Sequence, residues 1–305
     1  MLAKEKIYSG IDKVLSGTAP DTVTEGCMVL EGGAFRAVYA EGVLDVLMQE
    51  GINMRCTVGV SAGAINGVNY VSGQIGRSAR TNLRYRHNSE YVGLGALKHN
   101  DGIIGFDFMY NELTKTDPFD EKRFRDPSRQ LVAVCANCLT GKEEYFDKDS
   151  CSDIMQAVRA SASLPFVSKM VELDGKPYLD GGCACKIPYR WALDKGFEKI
   201  IVIKTREDGF RKPEPSHKFE TLCKATYHHY PEFAEALAAS DATYNKQCDE
   251  IEELRKQGRI FVISPSVPVE VSRLESDMEK LGDLYFLGVN DARRLLPDLL
   301  RYLGA

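Results

Sequence analysis

Gly59-Val60-Ser61-Ala62-Gly63 holds the residue with the clearest chemical promise. A serine in Gly-x-Ser-x-Gly, between a β-leaning run (54–60) and a small-residue helical run (62–70), is lifted out on a sharp strand-to-helix turn. Its hydroxyl is then exposed and free to act as a nucleophile. Gly59 and Gly63 leave room for the tight turn and for close packing of the helix. The same residues also fit a plain βα turn that happens to contain serine. An acyl-transfer serine needs a base, an oxyanion site and a pocket. Gly32 and Gly33 offer the oxyanion site. They follow the apolar run 27–30 and open a helix, so backbone N–H groups point outward at the positive end of the helix dipole. Arg36 adds a cation in the first turn.

Two kinds of base are available. His217, His228 and His229 follow the serine, the chain order of a histidine-dependent α/β-hydrolase esterase. They lie among charged, helical or loop residues with no strand end before them, as surface histidines do. His87 and His99 precede them outside that order. Asp180 instead follows Tyr178-Leu179 at an expected strand end, and Gly181-Gly182 lets the backbone come close. A carboxylate within hydrogen-bond reach takes a serine proton directly. Asp-Gly is also a common turn pair, so both readings stand at this level. A nucleotide-binding turn fits poorly. Ala34 and Ala37 occupy later positions of Gly-x-Gly-x-x-Gly, and no Gly-x-x-x-x-Gly-Lys-Ser/Thr occurs.

The elements that must position these residues read as a βαβα series. Strand 27–30, a Gly-rich turn, a helix to Gln49 stopped by Gly51, strand 54–60 and helix 62–70 imply a parallel sheet with helices on its faces. Residues 74–130 are less regular. A basic helix is expected over 77–86, a loop or lid over 91–108, and a helix over 108–114 broken at Asp117-Pro118. This segment is a candidate cover for an active site, or a structural excursion. A hairpin of 131–138 with 143–146 follows, then a helix from Ser152 or Asp153 to about 160. Next come a strand over 176–179, a helix over 189–195 and a strand over 199–204. Beyond 219 helices dominate (233–256 and 278–303), with one late strand at 260–263 that can return to the same sheet.

The 305 residues suffice for a large core without staples, and 44% hydrophobic with 27% charged is ordinary for a globular chain. The net charge of −5 gives no reason to expect nucleic acid. Met1 to Gly26 has no apolar run of the kind that opens a secretory signal, so the nine cysteines are expected as free thiols in the cytoplasm. Cys135 and Cys138 have redox spacing, but on a strand they face opposite sides and serve as packing. Cys183 and Cys185 lack a set of metal-ligand partners. No metal is expected.

Four ordered motifs resemble one family. Glu31-Gly32-Gly33-Ala34-Phe35-Arg36, Gly59-Val60-Ser61-Ala62-Gly63, Ser161-Ala162-Ser163-Leu164-Pro165-Phe166 and Asp180-Gly181-Gly182 look like those of the patatin-like phospholipases. The match covers roughly 27–205. The tail, with Tyr244-Asn245 and 260–274, is similar to a bacterial subgroup. The resemblance implies a three-layer α/β/α fold with a mainly parallel central sheet and a helical C-terminal elaboration. It implies a catalytic core at 27–205, with 206–305 packed on the same domain. It also implies a lipid acyl hydrolase working through a Ser61–Asp180 dyad without histidine or cofactor. Gly32, Gly33 and Ala34 would then form the oxyanion hole, with Arg36, Gly59, Gly63, Gly181 and Gly182 in support. The family motif usually carries glycine where Ala34 and Ala37 stand; alanine keeps the N–H but restricts φ. The expected partners are a lipid or ester substrate and, through an apolar rim at 91–110, the surface of a membrane. A non-catalytic lipid-binding protein on the same fold is the alternative from another class.

Overall fold

The computed structural model describes residues 6–304. The first five residues, and Ala305 at the end of the expected C-terminal extension, lie outside them. The main elements, in chain order, are β1 (Thr24–Leu30), α1 (Val38–Gln49), β2 (Met54–Val60), α2 (Ala62–Val71), α3 (Arg77–Tyr85) and α4 (Leu94–Asn100). They continue as β3 (Gln130–Asn137), β4 (Glu143–Asp147), α5 (Ile154–Ser161), β5 (Val171–Leu173), β6 (Lys176–Asp180) and α6 (Tyr189–Asp194). Last come β7 (Ile200–Ile203), α7 (His217–Thr226), α8 (Pro231–Lys256), β8 (Phe261–Ile263) and α9 (Met278–Leu303).

The strands lie in the order β8-β7-β1-β2-β3-β6-β5, with β4 also on β3. The first five run parallel; β4, β5 and β6 are antiparallel. β1 and β7 are central, which is why they read as unbroken apolar runs rather than alternating ones. Their side chains divide between two cores. Met28, Leu30, Ile201 and Ile203 pack with α1 and α9, whereas Cys27, Val29, Ile200 and Val202 pack with α6 and α8. The result is a three-layer α/β/α fold.

Register on β3 sets the geometry that matters most. Val60, the last residue of β2, pairs with Val134 of β3. The next residue of β3, Cys135, pairs with Asp180, the last residue of β6. The other edge of β3 is taken by β4 over Val132–Ala136. β2 and β6 therefore share one edge of β3 and meet end to end from opposite directions. Ser61 and Asp180 stand at that junction although 119 residues separate them.

Elements beyond residue 205 join the sheet and pack on α1. β8 extends the sheet beside β7. α9 crosses α1 so closely that a Cβ on Gly42 would sit 2.1 Å from the Tyr285 carbonyl oxygen, and one on Gly288 2.1 Å from that of Tyr39. Two segments depart from the sequence expectation. The stretch 91–108 is not simply loop: it contains α4, and Val92 bridges to Ile104. Tyr91, Phe106 and Phe108 turn inward and are buried, because large aromatic surface is costly to leave in water. Only Leu94 and Leu97 stand well out from it. The second departure is β5, which forms an unforeseen hairpin with β6. Its turn, Asp174-Gly175, has φ of 49° and 75°, and Asp-Gly is a strong hairpin signal that the sequence did carry.

Candidate active site

Ser61 is held at φ 57°, ψ −128°, between the end of β2 and the start of α2. A non-glycine residue there costs on the order of 1–3 kcal/mol, so its surroundings must enforce it. They do so in three ways. The Ser61 N–H, which has no strand or helix partner, donates to Ser161 Oγ at 2.9 Å, and Ser161 Oγ donates to the Val134 carbonyl at 2.6 Å. The Ser61 carbonyl accepts the Ala64 N–H at 2.9 Å, which opens α2. Finally, the neighbouring turns fit only without side chains. A Cβ on Gly63 would meet the Leu30 carbonyl oxygen at 2.6 Å, and one on Gly32 would meet Ser61 Cβ at 2.9 Å. Ser161 was not among the candidate residues. Its signal was a hydroxyl in the small apolar run Ala160-Ser161-Ala162, where burial demands a partner.

Asp180 is placed as firmly. Its N–H donates to the Ser163 carbonyl at 2.9 Å. Ser61 Oγ donates to its Oδ2 at 2.6 Å, and the Gly182 N–H donates to its Oδ1 at 2.7 Å. Burial pushes its pKa above the ordinary carboxylate value; the Ser61 hydroxyl, the Gly182 N–H, Lys186 and Arg273 pull it part of the way back. The arrangement is a carboxylate kept hungry for a proton, hydrogen-bonded to an accessible hydroxyl.

The Gly-rich turn lies alongside. Glu31 Oε2 accepts the Thr205 N–H at 2.6 Å, and Thr205 Oγ1 donates to the Gly32 carbonyl at 3.1 Å, which ties the turn to the end of β7. The Phe35 N–H is taken by the Arg273 carbonyl and the Arg36 N–H by that of Gly33. The N–H groups of Gly32, Gly33 and Ala34 have no acceptor among the described residues, and all three residues line the cleft that holds Ser61. Ala34 has φ 50°, so the alanine does stand in a conformation that favours glycine. Arg36 is buried on the same cleft, with no side-chain hydrogen bond or ion pair among the described residues and an unpartnered Nε. Burial, with Arg206 and Arg273 nearby, lowers its pKa to about 10.

The cleft measures ≈ 690 Å³, with Ile103, Leu164, Phe166, Val167 and Leu274 among its apolar lining. A larger cavity, ≈ 970 Å³, lies beneath the 106–124 segment and shares no lining residue with it. We take the smaller one as the reactive site because Ser61 and Asp180 open into it. All five histidines are exposed, and none lines the cleft. Cys135 and Cys138 belong to different core clusters, on the packing role expected of them. Cys183 is buried on the cleft wall, and burial drives its thiol pKa well up. Among the described residues, no group of three or more His, Cys, Asp or Glu side chains is arranged to hold a metal ion.

Comparison with known proteins decides the family. A family model described as patatin-like phospholipase matches residues 28–193, more than half of the chain and a span that includes Ser61 and Asp180. The chain belongs to the patatin-like phospholipase family. It is an enzyme, a lipid acyl hydrolase. A second model, described as a domain of unknown function (DUF6363), matches residues 230–304 of this patatin-like chain. Among relatives, it is 26% identical over 278 residues to "Uncharacterized protein YjjU" of Escherichia coli (strain K12), covering 86% of this chain and 74% of that protein. It is 22% identical over 261 residues to "Probable lipid hydrolase 463L" of Invertebrate iridescent virus 6, covering 75% and 89%. The crystal structure of VipD from Legionella pneumophila aligns with 14% identity and a TM-score of 0.45, covering 93% of this chain and 68% of that one.

Proposed function

We propose that this patatin-like protein cleaves carboxylic-ester bonds of lipids, as a phospholipase A or lysophospholipase does, through a Ser61–Asp180 dyad. Asp180 takes the Ser61 proton, and Oγ attacks the ester carbonyl. The oxyanion rests on the N–H groups of Gly32, Gly33 and Ala34. Asp180 then gives its proton to the departing alcohol, which leaves an acyl-enzyme. Water, deprotonated by Asp180, attacks that ester and releases the fatty acid. The scheme uses no metal or cofactor. The observation that carries it is the 2.6 Å bond between Ser61 Oγ and a buried carboxylate, beside three unclaimed N–H groups. The viral relative's name, a probable lipid hydrolase, supports the substrate class.

On this reading residues 27–205 are the catalytic core, and 206–305 an extension of the same domain; the strand that β8 adds to the sheet supports that division. Substrate arrives from a lipid surface that the protein touches without crossing, on the cytoplasmic side. Exposed Phe166, Val167 and Leu274 at the cleft, with Leu94 and Leu97 nearby in sequence to Ile103, suit such contact. Among the described residues no helix is long and apolar enough to cross a membrane.

The test is Ser61→Ala against p-nitrophenyl esters of graded chain length. Turnover should fall by about a thousandfold or more, since removing the nucleophile leaves only binding and oxyanion stabilisation. A fluorophosphonate probe should label the wild type at Ser61. Ester turnover that survives the substitution would sink the assignment, and loss of turnover on replacing His217, His228 or His229 would return the histidine-dependent esterase to favour.

A further inference from the structure

The cleft carries more positive charge than its neutral chemistry needs. Arg36, Lys186, Arg206, Lys212 and Arg273 all line it, in a chain whose net charge is −5. Internal ion pairs do not cancel them. Lys212 Nζ at 2.8 Å and Lys186 Nζ at 3.4 Å share one oxygen, Oδ1 of Asp241. Arg273 is exposed and has neither an ion pair nor a side-chain hydrogen bond among the described residues. Of the other acids on the cleft, Glu31 is committed to the Thr205 N–H and Asp180 to Ser61 and Gly182, while Glu214 stands exposed without an ion pair among the described residues. Arg206 is engaged with the Val269 carbonyl and lies 4.5 Å from the Phe210 ring. Two lysines on one carboxylate, with a free guanidinium beside them, leave a positive excess. The lysines feel it: burial, then repulsion from Lys186, brings Lys212 down to about 8.

The position of this excess is informative. Lys186 Nζ also donates to the Gly182 carbonyl at 3.0 Å, one turn from Asp180, and Lys186 and Arg273 both act on the Asp180 carboxylate. The group that protonates the departing alcohol must sit beside it. The cations therefore flank the alcohol portion of the substrate, not its acyl chain.

We propose that Lys186, Lys212 and Arg273 form a subsite for a phosphate on the alcohol side of the scissile ester, so that phosphate-bearing esters are hydrolysed in preference to uncharged acylglycerols. The proposal rests on the Ser61–Asp180 reading. Phosphate oxygens accept charge-assisted hydrogen bonds from ammonium and guanidinium groups, and each such bond in a half-buried cleft is stronger than one in water. A bound phosphate also relieves the repulsion among the three cations.

The experiment compares dihexanoyl phosphatidic acid with dihexanoylglycerol, which share acyl chains and the reacting ester. The wild type should favour the phosphatidic acid by about tenfold or more in kcat/KM, and Lys212→Gln or Arg273→Gln should each cut that ratio by about tenfold. A merely structural role for these side chains would slow both substrates together and leave the ratio intact, which would overturn the proposal. So would a wild type with no preference. If neither ester is hydrolysed, titration calorimetry of the Ser61→Ala protein with dihexanoyl phosphatidic acid separates the two ideas. Binding that weakens tenfold in Lys212→Gln would uphold the subsite while the dyad reading fails; absence of binding would remove the subsite as well. Inorganic phosphate is the control. If it binds as tightly as the lipid, the cleft reads a free anion and the assignment to a lipid head group falls.

Discussion

Asp180 in the cleft and Asp45 in the junction of α1, α3 and α9 are both buried, and each accepts one hydroxyl and one backbone N–H. Asp180 takes Ser61 Oγ at 2.6 Å and Gly182 N at 2.7 Å; Asp45 takes Tyr285 OH at 2.8 Å and Gly76 N at 2.7 Å. Burial raises both, Asp45 to about 7. Their surroundings differ. The Ser61 hydroxyl opens into a cleft beside three free N–H groups, with Lys186 and Arg273 acting on its carboxylate. The Tyr285 hydroxyl is sealed, and its oxygen also accepts the Leu15 N–H at 3.1 Å. Glu41, one turn away on α1, is buried too, and its Oε2 has no partner among the described residues. A short hydroxyl–carboxylate bond thus positions an acid equally well in a core or a site. Access and a place for developing negative charge separate the two.

The sharpest break between these regions comes from the same substitution in each. Asp180→Asn should lower kcat by about a thousandfold or more, since an amide cannot take the serine proton. Asp45→Asn should leave kcat/KM within about twofold. Comparable losses in ester turnover would show that the two carboxylates are not functionally distinct. The pH profile adds a second readout. Because burial raises Asp180, the acid limb of kcat/KM should lie above the ordinary aspartate value of about 3.9, with activity rising as the carboxylate ionises.

A smaller effect belongs to stability. Asp45 has a folded pKa of about 7, above its unfolded value, so the folded state holds a proton that the unfolded chain has already released. Its contribution is therefore most favourable below about pH 4 and is lost as pH rises towards 7, by at most about 4 kcal/mol. Asp45→Asn keeps an oxygen for Tyr285 or Gly76 and removes this dependence. Urea unfolding at pH 8 should find the variant at least as stable as the wild type, with the difference closing near pH 4. A variant that is markedly weaker at pH 8 would mean that Asp45 stays charged and is paid back by its partners.

Much of this contrast was legible in the sequence on one side only. Ser61 and Asp180 stood in short motifs whose glycines mark close backbone approach, and the sheet brings both to one junction. The partners that hold the cleft in place came from far along the chain, and even the motif that contains Ser161 gave its hydroxyl no role. Ser161 holds the Ser61 N–H across 100 residues, and Arg273 approaches the Gly-rich turn through its carbonyl. Nothing in the sequence singled out Asp45 and Glu41, two acids four residues apart on one face of α1. They are buried because α9, 240 residues on in the case of Tyr285, covers that face. Local periodicity cannot report a cover supplied from so far away. The inward turn of Tyr91, Phe106 and Phe108 was hidden for the same reason.

The last and smallest effect concerns how the cleft holds its N–H groups in place. Ala34, at φ 50°, lies in the left-handed region, where alanine is disfavoured by roughly 1–2 kcal/mol. Glycine would remove that strain but lose more freedom on folding, roughly 0.5–1 kcal/mol. The two nearly offset, so Ala34→Gly should raise stability by no more than about 1 kcal/mol. Turnover separates what stability cannot. If the turn is fixed by the Thr205 and Arg273 contacts, the N–H of residue 34 stays where it is and kcat should change by less than about threefold. A large drop in kcat without loss of stability would show instead that the Ala34 side chain, by restricting φ, is what aims the turn at the oxyanion. Either outcome concerns the cleft alone, because Ala34 lines it, whereas Asp45 is bonded to Gly76 and Tyr285 elsewhere in the fold.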